Sequence, residues 1–232
     1  ISIDYRPPRI ILRDHYSKDR YAKFMNNFEY YPFDKVGKFV YFPLQVQPEA
    51  SSDVNAPYFV NQMEVARQVA MSLPGDYTLV VKEHPTMLGW QSPSNIEKIA
   101  RTVNVKLIDY RISTEEVLKR CDLVVSLSCT TLAEAAFLNK PAIQLGNLGI
   151  TLKLPNIFKH SDMTTLTSKI KEVLKKDVRS KEYERRLENY VSAVYDTGFD
   201  VDYMKIWGRG GNEQEMEALW QVYKKEIKNI LI

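Results

Sequence analysis

The chain has 232 residues, 44% hydrophobic and 26% charged, enough for one large domain or a domain with an appendage. Its formal net charge of +3 gives no basis for a nucleic-acid partner. The two cysteines, Cys121 and Cys129, lack C-x-x-C spacing and point to a reduced, cytoplasmic protein, and no apolar run approaches the roughly 20 residues of a membrane span.

The chain opens on Ile1 with no visible signal peptide, so a trimmed piece of a longer protein is expected. Residues 1–37 are rich in Arg, Tyr, Phe and Asp, from Arg6-Pro7-Pro8-Arg9 to Tyr30-Tyr31-Pro32-Phe33, without a clean period. They read as a linker or N-terminal extension with one short helix around Lys18–Asn27. From Lys38 the pattern changes. Phe39-Val40-Tyr41-Phe42 is a buried-strand signal closed by Pro43. Phe59, Met63, Ala66, Ala70 and Leu73 then mark one face of a helix, with Pro57 in its first turn and Pro74-Gly75 closing it.

The alternation continues. Leu79-Val80-Val81 is a strand, Ser92-Pro93 starts a helix to about Arg101, and 105–108 is a strand. Ser113 and Glu116 form a capping box for a helix ending near Cys121. Leu123-Val124-Val125 is a strand, and Thr131 with Glu134 forms a second capping box for a helix ending at Asn139. A strand over 141–145 follows. Continuously apolar strands alternating with helices predict an α/β fold, a doubly wound parallel sheet of Rossmann-like type. After Asn147 the pattern is all-helical. Leu166, Ile170, Val173 and Leu174 face one way, and Tyr183, Leu187, Tyr190, Val191 and Val194 follow on the next helix. A loop with Gly198, Gly208, Gly210 and Gly211 precedes a last helix carrying Met216, Leu219, Trp220, Tyr223, Ile227 and Ile230. Trp220 and Tyr223 at this spacing are expected in the core. Residues 38–232 are thus expected to form one domain with a helical C-terminal segment.

In doubly wound sheets ligands sit at the carboxyl ends of the strands. Three loops there carry chemistry. Lys82-Glu83-His84-Pro85 can build an anion site, with His84 as a hydrogen-bond donor and Lys82 as a point charge. A structural histidine bonding a loop carbonyl is an equally weighted reading. Ser126-Leu127-Ser128-Cys129-Thr130-Thr131 lies between a strand and a helix start. Its hydroxyls and free N–H groups suit an anion, or simply cap the helix. Glu134 completes the capping box or accepts bonds from ribose hydroxyls. The third loop runs from Phe42 to Ser52. Gln45 and Gln47 suit sugar hydroxyls, and Glu49 can act as base, nucleophile or hydroxyl anchor. An exposed polar loop is the plainer reading. There is no G-x-G-x-x-G, P-loop, D-x-D or G-x-S-x-G, and His15, His84 and His160 are too scattered for zinc. No metal or cofactor is therefore expected.

Taken in order, F-P-L-Q-x-Q-P-E, K-E-H-P and S-x-S-x-T-T-x-x-E-A resemble the capsule polysaccharide biosynthesis proteins. That family is similar to the capsular 3-deoxy-manno-octulosonic acid transferases. The resemblance covers residues 38–147. It implies the C-terminal, donor-binding half of a GT-B glycosyltransferase, whose other Rossmann-like domain lies outside this chain. It further implies that His84 and Lys82 hold the donor phosphate together with Ser126, Ser128, Thr130 and Thr131. Gln45 and Gln47 would join the donor site, Glu134 would lie near the ribose or base, and Glu49 and His84 would be catalytic. The expected donor is a CMP-linked sugar. The expected acceptor is a saccharide or glycolipid, reached by peripheral association at the inner face of the membrane. Two other functions stay open: a UDP-sugar 2-epimerase, which shares the fold and similar loops, and a non-catalytic nucleotide-sugar-binding module.

Overall fold

The computed structural model describes residues 7–198 and 213–230. The expected loop residues Gly208, Gly210 and Gly211 lie outside this range. The chain divides into two compact units, Ile1–Leu187 and Glu188–Ile232.

Helix α1 (Pro8–Asn26) opens the first unit. The helix expected over Lys18–Asn27 reaches back to Pro8, since proline at a first helical position loses no hydrogen bond. Met25, Phe33 and Val36 are buried and join the core. The N–H of Tyr31 donates to the Leu107 carbonyl at 2.9 Å.

Strand β1 (Phe39–Pro43) is buried along its whole length. Successive side chains of a strand point to opposite faces, and here both faces are covered. Val40 and Phe42 enter one apolar cluster with Leu79, Val81 and Val125, while Phe39 and Tyr41 enter the other with Val80 and Val124. Each such side chain contributes about 1.5–3 kcal/mol by leaving water. A short α2 (Ala50–Asp53) follows β1, and α3 spans Gln62–Ser72. Pro57 opens a separate 3-10 turn over Pro57–Phe59, so the single helix expected from Pro57 is two elements. Asn61 starts α3 instead, its side chain accepting the Glu64 N–H at 3.2 Å.

Then come β2 (Thr78–Lys82), α4 (Pro93–Ala100), β3 (Val105–Ile108), α5 (Thr114–Arg120) and β4 (Leu123–Ser126). Ser113 caps α5 by accepting the Glu116 N–H at 3.1 Å, as expected. Helix α6 (Thr131–Phe137) departs from expectation. Thr130 precedes it, Thr131 is its first residue, no side chain caps it, and it ends two residues before Asn139. The Glu134 N–H donates to the Thr130 carbonyl at 3.0 Å, so no capping box forms with the Thr131 hydroxyl.

Strand β5 is Ala142–Gln144, and β6 (Ile157–Lys159) is a strand in a region expected to be all-helical. Helix α7 (Leu166–Leu174) buries Leu166, Ile170 and Val173. Near the start of α8 (Lys181–Thr197), the Tyr183 hydroxyl donates to the Ala136 carbonyl at 2.7 Å.

All sheet pairings are parallel, and the order is β3-β2-β1-β4-β5-β6. This is the doubly wound Rossmann-like arrangement, with the direction of winding reversing between β1 and β4. In the second unit, α9 (Glu213–Ile230) leaves Met216, Trp220, Tyr223 and Ile227 about half exposed. Trp220 and Tyr223 are therefore not core residues. Helical spacing identifies an apolar stripe but not whether another element lies on it.

Candidate functional site

The carboxyl ends of β2, β1 and β4, three neighbouring strands, carry the three candidate loops. Past β1, the Leu44 N–H continues the ladder to the Lys82 carbonyl at 3.0 Å. Gln45 is buried. With its carboxamide oxygen facing β4, it accepts from the Ser126 hydroxyl at 2.9 Å and the Ser128 N–H at 3.1 Å, and its nitrogen donates to the Ser128 carbonyl at 3.2 Å. Gln45 thus ties the β1 and β4 loops together beneath the surface. Gln47 donates to Asp53 Oδ1 at 3.1 Å and to the Val60 carbonyl at 2.9 Å. Glu49 is exposed just before α2 and accepts the Ser51 hydroxyl at 2.5 Å. The Ser128 hydroxyl donates to the Ser51 carbonyl, a second stitch between the same two loops.

At the end of β2 the side chains alternate again. Lys82 is 5% exposed, and its Nζ donates to the Ile112 carbonyl at 2.9 Å and to Thr114 Oγ1 at 3.1 Å. Burial lowers its pKa, while the negative charge of Glu134 raises it in part. Glu83 faces the other way and is 1% exposed. Its Oε1 accepts the His84 N–H at 3.2 Å, and its Oε2 has no hydrogen-bond partner. Burial pushes this carboxyl up to about 7, against a smaller lowering by the His84 N–H.

His84 turns outward and is half-buried. The Thr86 N–H donates to its Nδ1 at 3.3 Å, and Thr86 Oγ1 lies 2.8 Å from the same nitrogen. An amide N–H can only donate, so Nδ1 is the acceptor and the neutral ring carries its proton on Nε2. Burial lowers the His84 pKa, the Lys82 charge lowers it further, and Glu49 raises it. The ring is therefore a neutral Nε2–H donor near neutral pH, within the electrostatic reach of Lys82 and Glu49.

The β4 end supplies Ser126 and Ser128, both buried, and Thr130, which is exposed. The Ser126 hydroxyl lies 3.0 Å from Cys129 Sγ. Burial raises the Cys129 pKa, outweighing hydrogen bonds from the Ser126 and Thr131 side chains and from the Thr131 and Leu132 N–H groups. At the start of α6 the Leu132 N–H donates to the Cys129 carbonyl at 3.2 Å. Glu134 is exposed one turn into α6.

The structure thus brings Lys82 and Glu49 each within electrostatic reach of His84, and packs Gln45 against Ser126 and Ser128. The head groups of Lys82, Gln45 and Ser128 are occupied inside the fold, whereas Glu49, Thr130 and Glu134 are exposed and Gln47 and Thr131 partly so. Sequence reasoning missed Glu83, Ser51, Gln62 and Gly146. Gln62 exchanges two hydrogen bonds with the Gln45 backbone. A Cβ on Gly146 would lie 2.8 Å from both Ala56 Cβ and the Leu127 carbonyl oxygen. A glycine directly after a strand was the one signal available for that close approach. Among the described residues no group of His, Cys, Asp and Glu could hold a metal ion, and no helix is long and apolar enough to cross a membrane.

No family model matches the sequence, and no curated protein matches it. Solved structures do. KpsC from Thermosulfurimonas dismutans, a beta Kdo 2,7 transferase, is similar with a TM-score of 0.43 and 18% identity over 68% of this chain and 48% of its own. The UDP-GlcNAc 2-epimerase of Methanocaldococcus jannaschii, in complex with UDP-GlcNAc and UDP, gives 0.48 and 16% over 77% of this chain and 52% of its own. The spinosyn rhamnosyltransferase SpnG gives 0.46 and 14% over 70% and 44%. The chain spans about half the length of each of these structures.

Proposed function

We propose that this chain binds the phosphate of a nucleotide-activated sugar where the winding of its sheet reverses, and serves as the donor-binding half of a glycosyltransferase. The observation that carries this reading is the convergence of the β2, β1 and β4 loops beside the β1–β4 reversal point, with His84 presenting a neutral ring donor there. Ligands of doubly wound sheets bind in that crevice.

In this reading His84 Nε2–H donates to the donor phosphate. Lys82 adds positive potential from within the fold, while Thr130 and Thr131 add hydroxyls. Glu134 accepts from the ribose, and Glu49 takes the proton of the acceptor hydroxyl. Gln45, Ser126 and Ser128 hold the loops in register for the ligand. The donor is a CMP-linked sugar used in capsule or surface polysaccharide assembly, and the acceptor is a saccharide or glycolipid at the inner face of the membrane. A second Rossmann-like domain outside this chain closes the cleft.

Calorimetry with CMP and UDP tests this. The wild-type chain is expected to prefer CMP, with His84→Ala binding it about tenfold more weakly, the effect of losing one hydrogen bond to a charged group. Unchanged affinity in His84→Ala overturns the phosphate role. Preference for UDP replaces the CMP assignment by UDP-sugar transfer or 2-epimerisation, which product analysis after incubation with UDP-N-acetylglucosamine separates.

A further inference from the structure

Two grooves flank the start of α3, on the connection that carries Glu49. The larger has a volume of about 440 Å³ and is lined by Tyr58, Asn61, Glu64, Gln68, Ser161 and Met163, among others. The smaller, about 200 Å³, includes Gln47, Asn61, Gln91 and Asn95 in its lining. Asn61 belongs to both, so they form one track past the β1–α3 connection.

We infer that this track binds a neutral oligosaccharide. Its lining combines carboxamides and hydroxyls, each able to both donate and accept as sugar hydroxyls do, with apolar side chains such as Phe59, Val65, Leu44 and Ile99, which suit the C–H faces of sugar rings. Glu64, the charged group lining the larger groove, is already compensated. Its oxygens accept from Arg67 at 2.8 and 2.7 Å and from Gln68 at 2.8 Å, and these bonds hold its pKa down at about 2. An anionic ligand would meet no countercharge, and an apolar one would strip water from amides without replacing it. Tyr58 is 93% exposed, an aromatic face with an apolar body and a polar tip at the rim of the groove, suited to stack on the C–H face of a sugar ring. The polar groups are pre-oriented. Gln47 is fixed by Asp53 and the Val60 carbonyl, and Asn95 donates to Gln91 Oε1 at 3.2 Å. Fixed side chains lose less entropy on binding. The larger groove matches the volume range of small-molecule sites, roughly 300–1,000 Å³.

The binding site stands on the grooves alone. Only its role, to guide a sugar chain towards Glu49, rests on the transferase reading. The test is saturation-transfer NMR on the full chain, with maltotriose and N,N′-diacetylchitotriose as probes. Transfer to ring C–H protons of at least one probe is expected, with affinity falling about fivefold in Tyr58→Ala and unchanged in His84→Ala. CMP binding should be the same in Tyr58→Ala as in wild type. Transfer to neither probe overturns the inference, as does a Tyr58→Ala affinity within about twofold of wild type. Loss of probe binding in His84→Ala places the sugar at the phosphate loops and overturns the groove assignment as well. Failure of CMP binding with probe binding intact overturns the donor reading alone.

Discussion

Gln62 Oε1 accepts the backbone N–H of Gln45 at 2.7 Å, and Gln62 Nε2 donates back to the Gln45 carbonyl at 3.1 Å. A side chain on α3 here pairs with the first loop residues past β1 as a neighbouring strand would. Both glutamines are buried, so neither backbone group has water as an alternative. Gln62→Leu keeps much of the volume and leaves an N–H and a C=O without partners. A loss of about 2–4 kcal/mol is expected, read from urea unfolding midpoints at constant m-value. A loss below about 0.5 kcal/mol would mean that the pair is not closed in solution.

Glu83 predicts a pH dependence of stability. Its folded-state pKa of about 7 lies above the ordinary value of 4.5 because burial disfavours the charged form. Between these values the folded chain holds more protons than the unfolded one, so stability falls as pH rises. This contribution is full below about pH 4.5 and is lost by about pH 7, a span on the order of 3 kcal/mol. Glu83→Gln is expected to stabilise the chain by about 2 kcal/mol at pH 8 and to flatten the slope between pH 5 and 7. Parallel slopes for the two proteins in urea titrations would show that Glu83 ionises freely.

Gly146 is where three loops meet. Its N–H donates to the Leu127 carbonyl at 2.7 Å, and the next N–H, of Asn147, donates to the Asn55 carbonyl at 2.7 Å. In Gly146→Ala the methyl group would press on Ala56 and on the Leu127 and Asn55 carbonyls. Backbone cannot yield as a flexible side chain does, so a cost of about 1–3 kcal/mol is expected in thermal unfolding. CMP affinity should fall with it, since the Leu127 loop carries Ser126 and Ser128. An unchanged melting temperature would mean that the three loops separate freely.

The sheet was legible in the sequence because its strands are covered on both faces. Continuous runs such as Phe39–Phe42 and Leu123–Val125 leave little ambiguity. Strand β6 was not legible: Ile157-Phe158-Lys159 is three residues long, only partly buried, and follows Pro155. Pro57 misled because proline suits the first turn of either helix type, and the apolar spacing through Phe59 and Met63 runs across the break at Asn61. The positions of His84, Ser126 and Ser128 at strand ends followed from the pattern, but what their neighbours do did not. Lys82 reads as a loop cation, yet strand alternation turns it into the fold, where the Ile112 carbonyl and Thr114 hold it. Glu83 carries no signal in the sequence, yet it is 1% exposed in the fold. Thr131 reads as a cap, but it is the first residue of α6, and the Glu134 N–H it was expected to satisfy donates to the Thr130 carbonyl instead.

The order of the strands also governs how the chain can be made. Among the described strands β1 is synthesised first but sits at the centre of the sheet, and its second partner is β4, with Val40 beside Leu123. A growing chain can pair β1 with β2 and β2 with β3, and still present one open edge of β1, with unpaired backbone N–H and C=O groups between apolar side chains, until β4 has left the ribosome. The loops around Gln45 and His84 therefore exist as sequence well before they exist as a site. Through that interval the open edge of β1 is a template on which another chain can pair.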